Sequence, residues 1–300
     1  MVTIPNLDYR HWHHGDANSQ LQFARELCHA LETLGFVQLA HHPIAPALEA
    51  AAWHQTTQLF QLTLEEKAAI AWQSSQANRG YVSLGQESLN PGITRDAKEA
   101  FNLGAANSPA HLNRWPASLP EFRSVLLDFY AAANELVFPL LTALAVGLDL
   151  PKETFACHHQ AQFHTLRLLH YPPISAALGG TLRAGEHTDY GSITLLFQQQ
   201  PGLAVQCRQG NWHRVEPQPG TILINIGDLM QRWTGDRLRS TPHRVEVVST
   251  ENGRSSRYAM ALFCDPNPAT LITPLRANQG KSYHPITAGA YLQQRLTATY

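Results

Sequence analysis

Cysteine is scarce in this chain, methionine scarcer, and neither sign of charge prevails. The four cysteines, Cys28, Cys157, Cys207 and Cys264, stand far apart with no C-x-x-C pair. That spacing argues against a disulfide framework or a zinc knuckle and for free thiols in a reducing compartment. With 22 basic and 23 acidic residues and a net charge of −1, no overall field draws nucleic acid or an anionic membrane. No window approaches the run of about eighteen uninterrupted apolar residues that marks a membrane span. The opening "MVTIPNLDYRHWHHGD" lacks the basic segment and apolar core of a leader. No internal repeat or low-complexity tract is present. The expectation is a cytoplasmic protein with a small-molecule partner, no nucleic acid and no membrane.

Histidine is abundant, at 16, which invites metal readings and also multiplies accidental ones. The runs "HWHH" (His11, His13, His14), His41–His42 and "CHH" at 157–159 place neighbours on different faces of any strand or helix. Such runs rarely converge on one ion.

At 300 residues the chain is long for one domain, and both one domain with helical additions and two domains remain open. "SQLQFARELCHALETL" carries helical apolar spacing up to Gly35, and "FVQLA" has strand composition. Further helices are expected in "ALEAAAWHQTTQLFQL" and "TLEEKAAIAW", the latter with Thr63 and Glu66 as a capping box. Residues 78–104 read as loop around a short strand. The spacing then predicts a long helix through "PEFRSVLLDFYAAANELVFPLLTALAVGL", offset or kinked at Pro139. After residue 160, short strands punctuated by turn residues argue for an antiparallel sandwich or barrel.

"GEHTDYGSITLL" places His187 and Asp189 at the lip of one such strand. Residues i and i+2 of an extended segment share a face, so an imidazole and a carboxylate can grip one metal from one side. By composition, about half of one H-x-D triplet is expected by chance, so a third ligand is required. His243, at the start of an apolar strand after the turn residues Thr234, Gly235 and Asp236, is the candidate. Two histidines and one carboxylate suit Fe(II) and leave coordination positions open, whereas structural zinc wants four protein ligands. Arg257, on the next strand, can form a bidentate pair with a carboxylate.

"EHTDYGSITLLFQ", "GTILINIGDLMQRWTGDRLRSTPHRV" and "SRYAMALFCDPNP", in that order, resemble the core of the isopenicillin N synthase-like 2-oxoglutarate/Fe(II)-dependent dioxygenases. "LETLGFVQLAHHPI", "RGYVSLGQES" and "RDAKEAFNLG" are similar to the family's N-terminal region, and "YHPITAGAYLQQRL" to its closing helix. The resemblance implies a mainly β fold with flanking helices: a double-stranded β-helix, or jelly roll, carrying a helical N-terminal region over 1–110. Residues 111–300 would hold the long helix, the catalytic core and the C-terminal helix, all in one compact unit.

It further implies that His187, Asp189 and His243 bind Fe(II) and that Arg257, with Tyr171, holds the C5 carboxylate of 2-oxoglutarate. O2 would be the other cosubstrate, and a C–H bond of a natural-product metabolite would be oxidised, usually hydroxylated, with release of succinate and CO2. Arg79, Tyr81, Glu87, Phe101, Arg167 and Phe263 are the expected substrate-pocket residues, and a pocket-facing Glu87 would suit a cationic or guanidinium-bearing substrate. One departure stands out: relatives carry Arg-x-Ser, whereas this chain reads Arg257, Tyr258, Ala259. Weaker 2-oxoglutarate binding or compensation by another hydroxyl would follow, a neutral hydrogen bond being worth on the order of 1 kcal/mol. An iron oxidase that does not consume 2-oxoglutarate, an ethylene-forming-type enzyme and a non-catalytic metal-binding jelly roll are the alternatives.

Overall fold

The computed structural model describes residues 3–87, 96–106, 112–173, 182–247, 255–275 and 283–299. The chain opens with β1 (Asn6–Asp8), α1 (Arg10–His13), α2 (Ala17–Thr33) and β2 (Phe36–Ala40). It continues through α3 (Pro46–Gln61), α4 (Leu64–Ala69), β3 (Gly80–Val82) and β4 (Glu99–Leu103). Asp16 starts α2 by accepting from the Ser19 amide at 2.8 Å, and Gly35, with φ of 77°, takes the left-handed turn that ends it. The capping box forms as expected, Thr63 and Glu66 each accepting from the other's backbone amide. This region is less purely helical than its sequence suggests, because all four of its strands join the main sheet. Residues 88–95, within the expected pocket loop, lie outside the described residues.

The long apolar helix is two helices, α5 (Phe122–Asn134) and α6 (Val137–Gly147). Pro139 does not sit at a kink but in the first turn of α6, where its missing N–H costs no intrahelical bond. A proline ring clashes with the carbonyl four residues upstream, so the chain breaks before it. Residues 122–147 are long and apolar enough by composition to cross a membrane, with hydropathy of 1.5. Here α6 packs on α2 and α5 on α3. Gly147 permits the first contact, since a Cβ there would lie 2.2 Å from the Ala24 carbonyl oxygen.

After α7 (Glu153–Ala156) come β5 (Thr165–Tyr171), β6 (Leu182–His187), β7 (Ile193–Gln198), β8 (Leu203–Gln206), β9 (Trp212–Arg214) and β10 (Thr221–Ile226). Then follow α8 (Asp228–Trp233), β11 (His243–Glu246), β12 (Arg257–Cys264), β13 (Leu271–Ile272), β14 (Ile286–Thr287) and α9 (Ala288–Thr299). Eight strands form one sheet, β1-β2-β10-β7-β12-β5-β4-β3, and four form a second, β6-β11-β8-β9. The two sheets are those of a jelly roll, with helices packed outside.

Strand alternation decides what faces the interior. On β12, Met260, Leu262 and Cys264 join the helices in the large core, while Ala259 packs inward with Leu169, Tyr171, Ala184 and Val245 from both sheets. Phe101 belongs to the outer set: it is fully buried and meets the Phe122 ring edge-on at 5.4 Å. Phe101→Ala should therefore destabilise the fold by about 3–5 kcal/mol, measurable as a lower denaturant midpoint, rather than act on substrate.

Candidate active site

His187 ends β6 and His243 begins β11, and the two are direct cross-strand partners. Asp189 follows two residues after His187, so β pairing alone brings the three groups together. Each offers one ligand atom, all within 4.8 Å of one another, and the set is the one such cluster among the described residues. His243 Nε2 lies 3.6 Å from Asp189 Oδ1.

The surrounding hydrogen bonds leave the metal-facing atoms free. His187 Nδ1 donates to the Gly185 carbonyl at 2.8 Å and His243 Nδ1 to that of Thr241 at 3.1 Å, which leaves both Nε2 lone pairs for an ion. Asp189 Oδ2 accepts from Thr194 Oγ1 at 2.6 Å and Asn225 Nδ2 at 2.7 Å, so Oδ1 is the atom left. Burial, with His243 alongside, pushes His187 down to about 3, keeping it neutral and ready to ligate. Burial alone would raise Asp189, but His243, His187, Asn225 and Thr194 outweigh it and hold the carboxyl below its ordinary range. A divalent cation fits this donor set. Asn225→Leu should weaken Fe(II) binding about 10–100-fold, as read by metal titration.

Arg257, almost fully buried, pairs across the sheet with Tyr171 and sits 5.0 Å above its ring. Its Nη2 donates to Gln198 Oε1 at 3.2 Å, and among the described residues its buried Nε has no partner. A buried guanidinium with an unmet donor fits a carboxylate ligand. Ala259, two residues along the same face, is buried against Leu169 and Tyr171, so the hydroxyls and amides near Arg257 come from Tyr171 and Gln198.

A cavity of about 150 Å³ opens beside the triad, lined in part by Glu87, Lys98, Arg167, Tyr171, Phe263 and Asp265. Leu292, Leu296 and Thr299 of α9 close one side, and Thr299 Oγ1 hydrogen-bonds Tyr190 Oη at 2.7 Å. Of the expected pocket residues, Glu87, Arg167 and Phe263 line this cavity. Arg79, Tyr81 and Phe101 do not. Arg79 lies behind the wall, its guanidinium donating to Thr165 Oγ1 at 3.1 Å. The Tyr81 hydroxyl donates to Glu99, which also binds Lys67 and His170 on the outer face of the sheet.

Glu87 faces the cavity without offering it a free negative charge. It is paired with Arg167 and with Lys98, which lies 3.3 Å away and also binds Asp96 at 2.9 Å. Burial works against the Lys98 charge, but Glu87 and Asp96 more than restore it. Two carboxylates thus meet two cations, and a cationic substrate no longer follows from Glu87. The sequence reading missed Lys98, Thr194, Asn225, Gln198, Asp265 and the α9 side chains. For Thr194 and Asn225 a signal was there: each is the one polar residue in the interior of an otherwise apolar strand, "ITLLFQ" and "TILINI".

Comparison with known proteins agrees with this geometry. The profile of the 2OG-Fe(II) oxygenase superfamily matches residues 157–266, and that of the non-haem dioxygenase in morphine synthesis N-terminal region matches 4–120. A proline hydroxylase of Petromyces alliaceus is 36% identical, with 100% of both chains covered. A 2-oxoglutarate-dependent dioxygenase of Aspergillus rugulosus is 33% identical, again over 100% of both. The crystal structure of a full-length Neurospora crassa protein in complex with alpha-KG and thymine superposes with a TM-score of 0.92 at 34% identity, covering 99% of this chain and 97% of that one. The chain belongs to the 2OG-Fe(II) oxygenase superfamily. It is a dioxygenase that uses Fe(II), 2-oxoglutarate and O2.

Proposed function

We propose that this enzyme hydroxylates a C–H bond of a small polar metabolite in natural-product biosynthesis, with 2-oxoglutarate converted to succinate and CO2. A relative named as a proline hydroxylase and a neighbour crystallised with thymine support that substrate size. The observation that carries the reading is the single face on which His187 Nε2, His243 Nε2 and Asp189 Oδ1 meet beside the cavity. Bound there, Fe(II) would activate O2, the oxidant that converts the keto acid to succinate and CO2 and hydroxylates the substrate.

The chain's own residues do the rest. His187, Asp189 and His243 hold the metal from one side and leave the other for ligands. Arg257 and Tyr171 fix the far carboxylate of 2-oxoglutarate, which sets the keto-acid end toward the metal. Arg167 and Phe263 border the substrate: the guanidinium orients an oxygen acceptor, and the ring packs an apolar face. Leu292 and Leu296 keep water from that side. Four unpaired cysteines suit a reducing, cytoplasmic setting.

Succinate release tests the proposal. The full chain with Fe(II) and 2-oxoglutarate should form succinate slowly, faster with substrate, and not at all when a chelator removes the iron. Substrate oxidation with O2 uptake but no succinate would replace this reading with that of an oxidase.

A further inference from the structure

The inward face of β12 runs from Arg257 through Ala259 and Ala261 to Phe263 and, in phase, to Asp265 just beyond the strand. At about 3.3 Å per residue, Asp265 stands roughly 26 Å along the chain from the cosubstrate arginine. Phe263 and Asp265 both line the cavity. The acid thus marks the end of the cavity away from Arg257.

The other acids there are spoken for: Glu87 by Arg167 and Lys98, and Asp189 by Thr194, Asn225 and the two histidines. Asp265 differs. Its backbone amide donates to His164 Nδ1 at 3.1 Å, which fixes the main chain, but among the described residues its buried Oδ1 has no hydrogen-bond partner. Gly191 admits that oxygen, since a Cβ there would lie 2.3 Å from it. Burial pushes the carboxyl up to about 7 against the pull of Arg79, with Asp189 adding to the rise. Arg79, held by Thr165, acts on the acid through space and forms no ion pair with it among the described residues. A carboxyl in this setting is stabilised by a donor that arrives with a ligand.

Taking the proposed C–H hydroxylation as the reaction, we propose that Asp265 is a substrate-specificity residue that accepts a hydrogen bond from an N–H group of the substrate. The substrate class is then a compact amine or N–H heterocycle that carries an oxygen acceptor for Arg167. A charged ammonium and a neutral ring N–H share this chemistry, and the two are separable by experiment.

The full chain, loaded with Fe(II) and 2-oxoglutarate, is tested for stimulated succinate release by L-proline and by thymine. Each is compared with a counterpart lacking N–H, cyclopentanecarboxylate and 1,3-dimethylthymine. An N–H compound should stimulate and its counterpart should not. Asp265→Ala should raise KM for the stimulating compound about tenfold or more, with a smaller change in kcat. Asp265→Asn, which keeps the shape and an acceptor oxygen, should lose as much if the ligand is an ammonium and far less if it is a ring N–H. The affinity for 2-oxoglutarate, read anaerobically by thermal shift, should stay within about twofold of wild type in both variants, because that subsite is remote. Equal stimulation by the N–H-free counterparts, an unchanged KM in Asp265→Ala, or no response to either N–H compound while 2-oxoglutarate binds would each overturn the proposal. Failure of the wild-type protein to bind 2-oxoglutarate would instead overturn the function on which it rests.

Discussion

His243→Ala is expected to abolish iron-dependent turnover while leaving a folded protein. The substitution removes one of three ligand atoms that lie within 4.8 Å of each other. Losing an outer-shell partner alone costs about 10–100-fold in metal affinity, and losing a ligand costs more. The fold should tolerate the change. His243 packs edge-on against Phe36 at 5.6 Å, but its strand, β11, is held on both sides by β6 and β8. The cost in stability should be near the ordinary value of about 1 kcal/mol for a point substitution. Metal titration, circular dichroism and a melting curve on the same preparation check both halves. Full activity in a folded His243→Ala protein would remove the triad assignment.

Arg257→Ala should weaken 2-oxoglutarate binding by on the order of a hundredfold without loss of iron. Truncating one partner of a buried, charge-assisted pair costs about 2–5 kcal/mol. Arg257 is 2% exposed, so water cannot replace it. Tyr171 and Gln198 remain in the variant, but both are neutral, and each can supply only an ordinary hydrogen bond of about 1 kcal/mol. Iron affinity should be unchanged because Arg257 is not among the ligands. A loss of iron alongside the cosubstrate would mean that the two sites are not separable in this fold.

The convergence of His187, Asp189 and His243 was legible in the sequence because its logic is local. H-x-D at a strand end and a histidine opening a later strand need only β geometry to converge, and the order of motifs supplied the family. Strand spacing pointed only to an antiparallel sandwich or barrel, and the jelly roll followed from the resemblance. The pocket was harder to read, and its largest misplacement has a single cause. In β4, Phe101 pairs with Leu168 and Tyr81 pairs with Phe101, both on the outer face, whereas Ala100 pairs with Leu169 and Asn102 with Arg167 on the inner one. Reading 78–104 as loop around a short strand assigned no phase, and in a strand a one-residue difference of phase moves every side chain to the other face. Correctly phased, the inner series is Lys98, Ala100 and Asn102, which is why Lys98 reaches the cavity. β3 has three residues, too few to set its own phase, and tertiary pairing decides it. Leu292, Leu296 and Thr299 share one face of α9 by helical spacing, but no local signal says which surface that face covers.

The most direct test of the account is anaerobic addition of Fe(II) and then 2-oxoglutarate to the protein, followed by visible absorption. A weak charge-transfer band that appears only with both, vanishes in His243→Ala and needs far more 2-oxoglutarate in Arg257→Ala is the predicted result. No band in wild-type protein shown to hold iron would contradict it.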